Sequence, residues 1–304
     1  MNRPTIFSAF DGISCGQLGF IGAGIDYERY ISSELMFFES RKGKLIPNPV
    51  IDIVKHHFPR TEFVGDITKV DGTQYKGVVD VLLGGSPCQS FSNAGTRDGF
   101  DGKSGLFWHY VRIKEEMLPP YFLLENVDMK DKWIHIISDA LGVDPIFINS
   151  SITSAQNRPR LYWTNIPYTP IADKGILLGD VILGAVTGAS KHGELNPLYG
   201  MPGESKWKNK GWKFNPDNKS RCVVRAGRHY KNTQGNIIPM TAENCEVLQT
   251  IPIGYTAVTG LCGTKRIEAL GNAWTVDVLV EAFFKNLPWA TKMKVQPIGK
   301  FLNL

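Results

Sequence analysis

The sequence predicts an α/β protein with a mostly parallel sheet and a second, smaller domain. Short apolar segments alternate with helical patterns along the first 167 residues, which is typical of a sheet covered by helices. After Pro167 the apolar segments become sparse, and Gly, Pro, Asn and Lys become frequent. We therefore predict a discontinuous large domain, residues 1–167 and 261–304, and a loop-rich domain over 168–260.

Seven segments are predicted strands because they are short, apolar and bounded by turn residues. They are TIFSAF (5–10), YERYISSEL (27–35), TEFVGDI (61–67), VVDVLLGG (78–85), PYFLLENV (120–127), DPIFINSSI (144–152) and RLYWTNI (160–166). Helical patterns occupy 17–24, the region near 50–57, and 266–287.

The composition limits the class of protein. The chain has 304 residues, 42% hydrophobic and 21% charged, which is typical of a soluble protein with a substantial core. No apolar run is long enough to cross a bilayer, and MNRPTIFSAFDG does not resemble a signal peptide. The five cysteines lack zinc-ligand or redox spacing. We expect free thiols, no structural metal, no membrane partner and a cytoplasmic location.

Positive charge is concentrated in one segment. The chain has a formal net charge of +5, and residues 206–231 contain nine basic residues against one acid, Asp217. Trp207, Trp212, Phe214 and Tyr230 alternate with these cations. Cations neutralise phosphates and aromatic rings contact bases or sugars, so the segment indicates nucleic-acid binding as readily as a solvated basic loop.

Acidic residues follow three successive predicted strands. The glycine turn FDGISCG (10–16) follows the first strand, Glu34 follows the second and Asp66 the third. Ligands of doubly wound sheets bind at the carboxyl ends of the strands. An acid about 20 residues after the glycine turn can accept hydrogen bonds from ribose hydroxyls. Although a single acid in such a place is usually a cap, three together predict a nucleoside-shaped site.

The next two strand ends carry a thiol and a carboxylate. Cys88 lies in the loop GGSPCQSFSNAG (84–95), and Glu125 ends the apolar run YFLL. A buried glutamate is costly without a partner, which favours a functional role over a purely structural one. Adjacent strand ends face one cleft, so we expect the two groups to lie in the same site.

Taken in chain order, these motifs resemble those of the DNA cytosine-5 methyltransferase family. The matching pieces are FDGISCG, Glu34, Gly65-Asp66, GGSPCQSFSNAG, LLENV (123–127), QNRPRLYW (156–163) and GNAWTV (271–276), with KSRCVVR (219–225) and MTAENCEVLQTIP (240–252) similar to the segment that closes the target domain. The first motif and the short target region are most similar to the animal de novo enzymes, whereas PCQ is more like the bacterial ones. The resemblance implies a Rossmann-like S-adenosylmethionine-dependent methyltransferase fold with target recognition at 168–260.

The resemblance also implies a covalent mechanism. Cys88 is the expected nucleophile that adds to C6 of a flipped cytosine, which makes C5 able to attack a methyl group. Glu125 is expected to stabilise the N3 side of the ring and to read the exocyclic amine. Arg160 is expected to contact the cytosine carbonyl and Arg158 to order the catalytic loop. The alternative for either arginine is a phosphate or surface contact.

S-adenosylmethionine is the implied cofactor. Phe10 is expected to flank the adenine, Glu34 to bind the ribose and Asp66 to bind the adenine edge. The expected cofactor-binding residues are Phe10, Asp11, Gly12, Ile13, Cys15, Glu34, Leu35, Asp66, Ile67, Pro87, Asn272, Ala273 and Trp274.

Double-stranded DNA is the implied partner, with a nucleoid-associated location. The role stays open between the partner of a cognate restriction endonuclease in a restriction-modification system, an orphan bacterial enzyme and a phage self-protection enzyme. The expected DNA-binding residues are Gln89, Ser90, Ser92, Asn93, Lys206, Trp207, Lys208, Arg225 and Arg228. Three alternatives stay open: the same chemistry on RNA, a silent DNA-binding homologue, and an altered donor or base. The lineage that acts on tRNA carries Cys-Phe-Thr in its target region, which this chain lacks.

Overall fold

A computed structural model of the chain describes residues 2–39, 43–87, 103–190, 213–225 and 227–291. Its main sheet contains seven strands, of which six lie within predicted segments and the seventh, β10, begins one residue before its segment. They are β1 (Thr5–Ala9), β2 (Arg29–Ser33), β5 (Glu62–Phe63), β6 (Val81–Gly84), β7 (Tyr121–Val127), β8 (Ile146–Asn149) and β10 (Pro159–Thr164).

The strands are arranged in the order β5-β2-β1-β6-β7-β10-β8. The first five are parallel, and β10 is antiparallel to both β7 and β8. The direction in which strands are added reverses between β1 and β6. A reversal of this kind opens a crevice at the carboxyl ends of the strands, where ligands of such sheets bind.

Helices cover both faces of the sheet. The helices are α1 (Cys15–Gly22), α2 (Pro49–His57), α3 (Phe107–Met117), α4 (Asp131–Leu141), α5 (Leu178–Val181), α6 (Ala242–Leu248), α7 (Gly263–Asn272) and α8 (Val276–Val278). Side chains of a strand point alternately to the two faces of the sheet, so neighbouring residues of one strand belong to different hydrophobic cores. Ile6 packs with residues of α1, α2, α7 and α8, whereas Phe7 packs with residues of α3 and α4.

Short strands form three smaller sheets. One contains β11 (Ala185–Ser190), β12 (Lys213–Phe214), β14 (His229–Asn232) and β15 (Ile237–Pro239), the second pairs β9 (Gln156–Asn157) with β13 (Ser220–Arg221), and the third is a hairpin of β3 (Phe37–Glu39) and β4 (Leu45–Pro47). The pairing of β9 with β13 brings residue 220 beside the QNRPR motif, and this contact positions much of the site described below.

The helical pattern predicted over 266–287 forms two helical stretches rather than one. Helix α7 ends at Asn272, residues 273–275 are not helical, and a second helical stretch follows as α8, a π-helical turn at Leu279–Phe283 and a 3-10 turn at Phe284–Asn286. The interruption lets Ala273 and Trp274 contact the site. The β3–β4 hairpin and helices α3 and α4 were not predicted. No helix in the described part of the chain is long and apolar enough to cross a membrane.

Candidate active site

The turn after β1 is built around the buried carboxylate of Asp11. Tyr30 donates its hydroxyl to Oδ1 at 2.7 Å, Ser32 donates to Oδ2 at 2.9 Å, and Ser14 also donates to Oδ2. Burial raises the pKa of Asp11, and the hydroxyl donors partly offset that effect. The Asp11 side chain therefore holds the turn to β2, and the Asp11 carbonyl accepts the Ser14 amide at 3.0 Å.

Glu34 joins the ends of β2 and β1. Its Oε2 accepts the Gly12 amide at 2.9 Å, and its Oε1 accepts the Leu35 amide and the Asn48 side chain, both at 3.1 Å. Burial raises the pKa of Glu34. Each carboxylate oxygen has two lone pairs, so Glu34 keeps the capacity to accept further donors such as sugar hydroxyls.

The backbone leaves open space above two glycines at these strand ends. Gly12 has φ +57° and Gly65 has φ +74°, and a Cβ on either would meet no atom within 4 Å. Asp66, next to Gly65, accepts the Thr68 amide at 2.9 Å as the cap of the 3-10 turn Ile67–Lys69, and is only partly buried. The open glycines between two carboxylates fit a cofactor with a sugar and an adenine.

Glu125 lies near the end of β7 and is held on both oxygens. Arg160 Nε is 2.7 Å from Oε1, and the Trp274 indole donates to Oε2 at 3.1 Å. Tyr162 lies opposite Glu125 in the ladder, which places Arg160, two residues earlier, on the same face. Glu125 is 8% exposed, so the partner that a buried glutamate requires is present.

The end of β6 is fixed against the same motif. The Asn126 side chain donates to Ser86 Oγ at 3.0 Å and to the Ser86 carbonyl at 3.3 Å. A Cβ on Gly85 would lie 2.9 Å from the Trp274 indole nitrogen, so this close approach requires glycine. The half-buried Pro87 ends the described stretch. Cys88, Gln89, Ser90, Ser92 and Asn93 lie outside the described residues.

Arg158 and Arg160 both contact the sulfur of Cys222. Arg158 is 2% exposed and donates to Cys222 Sγ and the Val223 carbonyl, both at 3.1 Å. It also donates to the carbonyls of Gly271 at 3.3 Å and Ala273 at 2.6 Å. Arg158 therefore joins three distant segments of the chain.

In the described part of the basic segment, Lys219 and Arg228 bind backbone carbonyls, whereas Arg225 is exposed. Arg225 forms an ion pair with Glu268, and Arg228 donates to the Cys222 carbonyl at 2.7 Å. Lys219 is 8% exposed and donates to the carbonyls of Ser151 and Ile176, both at 2.7 Å. Lys206, Trp207, Lys208 and Trp212 lie outside the described residues.

The other predicted cofactor residues differ in exposure. Cys15, Ile13, Ile67 and Ala273 are buried, Phe10 is partly buried, and Leu35 and Asn272 are exposed. Burial raises the pKa of the Cys15 thiol to about 12, which makes it an inert core residue.

Three contributors to the site were missed in the sequence. They are Asn126, Cys222 and Tyr255, whose hydroxyl donates to the Ile13 carbonyl at 2.7 Å. Asn126 adjoins Glu125 in LLENV and could have been found there. The other two act across contacts that no local pattern indicates.

A sheet of this order, with its glycine turn after β1 and an acid after β2, is the S-adenosylmethionine-dependent methyltransferase fold. The structure of Entamoeba histolytica methyltransferase EhMeth matches with a TM-score of 0.66 over 92% of this chain and 97% of that one. The identity is 14%, so this likeness concerns the fold.

Residues 5–132 match the family model of the C-5 cytosine-specific DNA methylases. The chain is 31% identical over 174 residues to orphan methyltransferase M.SPRI of Bacillus phage SPR, which covers 53% of this chain and 37% of the relative. It is 34% identical over 128 residues to type II methyltransferase M.NgoPII of Neisseria gonorrhoeae, covering 41% and 34% respectively. The chain thus spans roughly a third of the length of these curated relatives.

Proposed function

We propose that this protein transfers a methyl group from S-adenosylmethionine to C5 of a flipped cytosine in double-stranded DNA. The observation that carries the proposal is Glu125, held by Arg160 and Trp274 beside the strand that leads to Cys88. A carboxylate and a guanidinium side by side can bind the hydrogen-bonding edge of cytosine. The family of residues 5–132 supports the same chemistry.

The cofactor would lie at the ends of β1, β2 and β5. When bound, S-adenosylmethionine supplies an electrophilic methyl group. Glu34 would accept the ribose hydroxyls, Asp66 would accept the adenine amine, and the backbone around Gly12 would face the methionine end. The open space above Gly12 and Gly65 supports this placement.

The covalent step belongs to Cys88. Its thiolate donates an electron pair to C6 of cytosine, and the C5–C6 double bond becomes an enamine-like nucleophile at C5. Glu125, sharing a proton with N3, would stabilise the charge that develops there, and Arg160 would stabilise the carbonyl oxygen. S-adenosylhomocysteine would be the leaving group of the methyl transfer. Water then removes the C5 proton, the C5–C6 double bond forms again, and the C6–S bond breaks, which returns its electron pair to Cys88.

The smaller sheet and its basic segment would bind the DNA backbone. We propose that residues 168–260 form a target-recognition domain and that 206–231 contact phosphates, which would offset the cost of extruding the base. Because Arg228 and Lys219 already bind backbone carbonyls, the lysines and tryptophans of 206–213 would supply much of the phosphate contact. A cognate endonuclease would be a partner of the system rather than of this site.

The test supplies purified protein with methyl-labelled S-adenosylmethionine and a duplex of random sequence. We expect label on cytosine C5, read by bisulfite sequencing, and no label with Cys88→Ser. Cys262→Ser, at an exposed free cysteine, is the matched control and should keep full activity. Label on RNA but not DNA would replace the substrate, and cofactor binding without transfer to either would indicate a silent homologue.

A further inference from the structure

The segment KSRCVVR is held beside QNRPR by backbone pairing. Ser220 pairs with Gln156 and Arg221 with Asn157 in a parallel ladder. The Val223 amide donates to the Gln156 side chain at 2.9 Å, on the far side of Cys222. The position of Cys222 is therefore fixed from both directions along the chain.

The sulfur of Cys222 lies among guanidinium groups. It is 3.1 Å from Arg158 Nη1 and 3.8 Å from Arg160 Nη2, and Arg228 Nε binds its carbonyl at 2.7 Å. Burial raises the pKa of the Cys222 thiol, but Arg158, Arg160 and Arg228 together lower it by more than burial raises it, so the pKa lies below its ordinary value. Positive neighbours favour the thiolate, which is a stronger acceptor than the thiol.

The same guanidinium that meets the sulfur also holds Glu125. Arg160 uses Nε for Glu125 at 2.7 Å, Nη1 for the Pro159 carbonyl at 2.7 Å, and Nη2 for Cys222. A planar fork with contacts on all three nitrogens has little freedom to rotate. The Arg160 guanidinium is therefore held between the Cys222 sulfur and the Glu125 carboxylate.

We propose that Cys222 is a positioning residue whose sulfur holds Arg160 against Glu125. Through this contact, the placement of the 219–225 segment affects the geometry of the cytosine site. The kinetic consequence rests on the proposed function, because it requires that Glu125 and Arg160 bind the target base. The structural consequence, an acceptor sulfur facing Arg160, does not depend on any activity.

The first experiment tests the sulfur without a methylation assay. Iodoacetamide alkylation of Cys222 and Cys262 is followed by peptide mass spectrometry across pH, in wild type and in Arg160→Gln. Alkylation requires the thiolate, so Cys222 should become reactive at higher pH in Arg160→Gln than in wild type, and alkylation of the exposed Cys262 serves as the internal control in both proteins. Identical profiles for Cys222 in wild type and Arg160→Gln would overturn the proposal.

The second experiment compares Cys222→Ala with Cys222→Ser by steady-state kinetics. Loss of an acceptor for a charged donor predicts a kcat lower by about tenfold in Cys222→Ala, with the KM for S-adenosylmethionine unchanged. Serine restores an acceptor, so its kcat should lie within about threefold of wild type. Equal losses in both variants, or a loss of cofactor affinity in parallel, would show a packing role instead. If no variant methylates but the alkylation result holds, the proposed function fails and the placement of Arg160 stands.

Discussion

The cofactor side and the target side of the crevice are assembled in different ways. On the cofactor side, Gly12 and Glu34 are 22 residues apart, Tyr30 and Asp11 are 19 apart, and most donors are neutral hydroxyls and amides. On the target side, Trp274 and Glu125 are 149 residues apart, and guanidinium groups meet a carboxylate and a sulfur. The cofactor side is built mainly by neighbouring parallel strands, and the target side by segments that are far apart in the sequence.

This difference separates the effects of substitution. On the cofactor side a lost contact leaves the surrounding strands in place, so its effect should be limited to binding. On the target side each charged group supports another, and a buried charge left without its partner is costly. Changes there should therefore alter catalysis or the fold by larger amounts.

The largest expected effect is that of Glu125→Gln. The change removes the carboxylate that pairs with Arg160 and would bind the cytosine edge, so we expect the single-turnover methylation rate to fall by at least about a hundredfold. Cofactor affinity, measured by calorimetry, should stay within about threefold. Glu62→Gln, which removes an exposed pair with Arg29, is the control and should behave as wild type. A full methylation rate in Glu125→Gln would remove Glu125 from the mechanism.

Arg158→Gln should mainly destabilise the fold. The substitution removes a buried cation, so the Cys222 sulfur and the carbonyls of Val223, Gly271 and Ala273 each lose a charged donor. We expect the free energy of unfolding in urea to fall by about 3 kcal/mol. Arg29→Gln, at an exposed ion pair, should cost less than about 1 kcal/mol. A cost for Arg158→Gln as small as that of the control would show that the three segments hold together without it.

Glu34→Gln should weaken cofactor binding by about tenfold. Burial raises the pKa of Glu34, and only the carboxylate keeps Oε2 as an acceptor for a ribose hydroxyl beside the Gly12 amide. Cofactor affinity should therefore decrease as pH falls through this raised pKa, and the decrease should be smaller in Glu34→Gln. The sign for stability is opposite, because the contribution of Glu34 to folding is greatest below its ordinary pKa and decreases as pH rises through the raised value. Equal pH dependence of affinity in both proteins would contradict the ribose contact.

The smallest effect is expected for Asp66→Ala. Loss of the cap on Thr68 should cost no more than about 1 kcal/mol of stability. Asp71→Ala is the matched control, because Asp71 caps the next 3-10 turn by accepting the Thr73 amide at 3.0 Å. Both should melt alike in calorimetry, but only Asp66→Ala should weaken cofactor binding, by about threefold. Equal affinities in the two variants would make Asp66 a cap alone.

The sequence predicted the cofactor side better than the target side for the same physical reason. All seven strands of the main sheet were predicted, because apolar runs bounded by turns encode strands locally, and parallel strands bring their ends together. Glu34 followed from that rule. The contact of Trp274 with Glu125 depends on the break between α7 and α8, although the apolar pattern of the sequence continues through it. The position of Cys222 depends on the short pairing of β13 with β9. A local sequence pattern does not predict contacts between residues so far apart in the chain.

The most direct measurement of the central claim is a trapping experiment with a duplex that carries 5-fluorocytosine. Fluorine at C5 leaves no proton for the final elimination, so a covalent adduct formed during methylation should persist. With S-adenosylmethionine present, we predict a protein–DNA adduct that peptide mass spectrometry maps to Cys88, and that forms at least about a hundredfold more slowly in Glu125→Gln. An adduct at another residue, or one that forms equally fast in Glu125→Gln, would contradict the account.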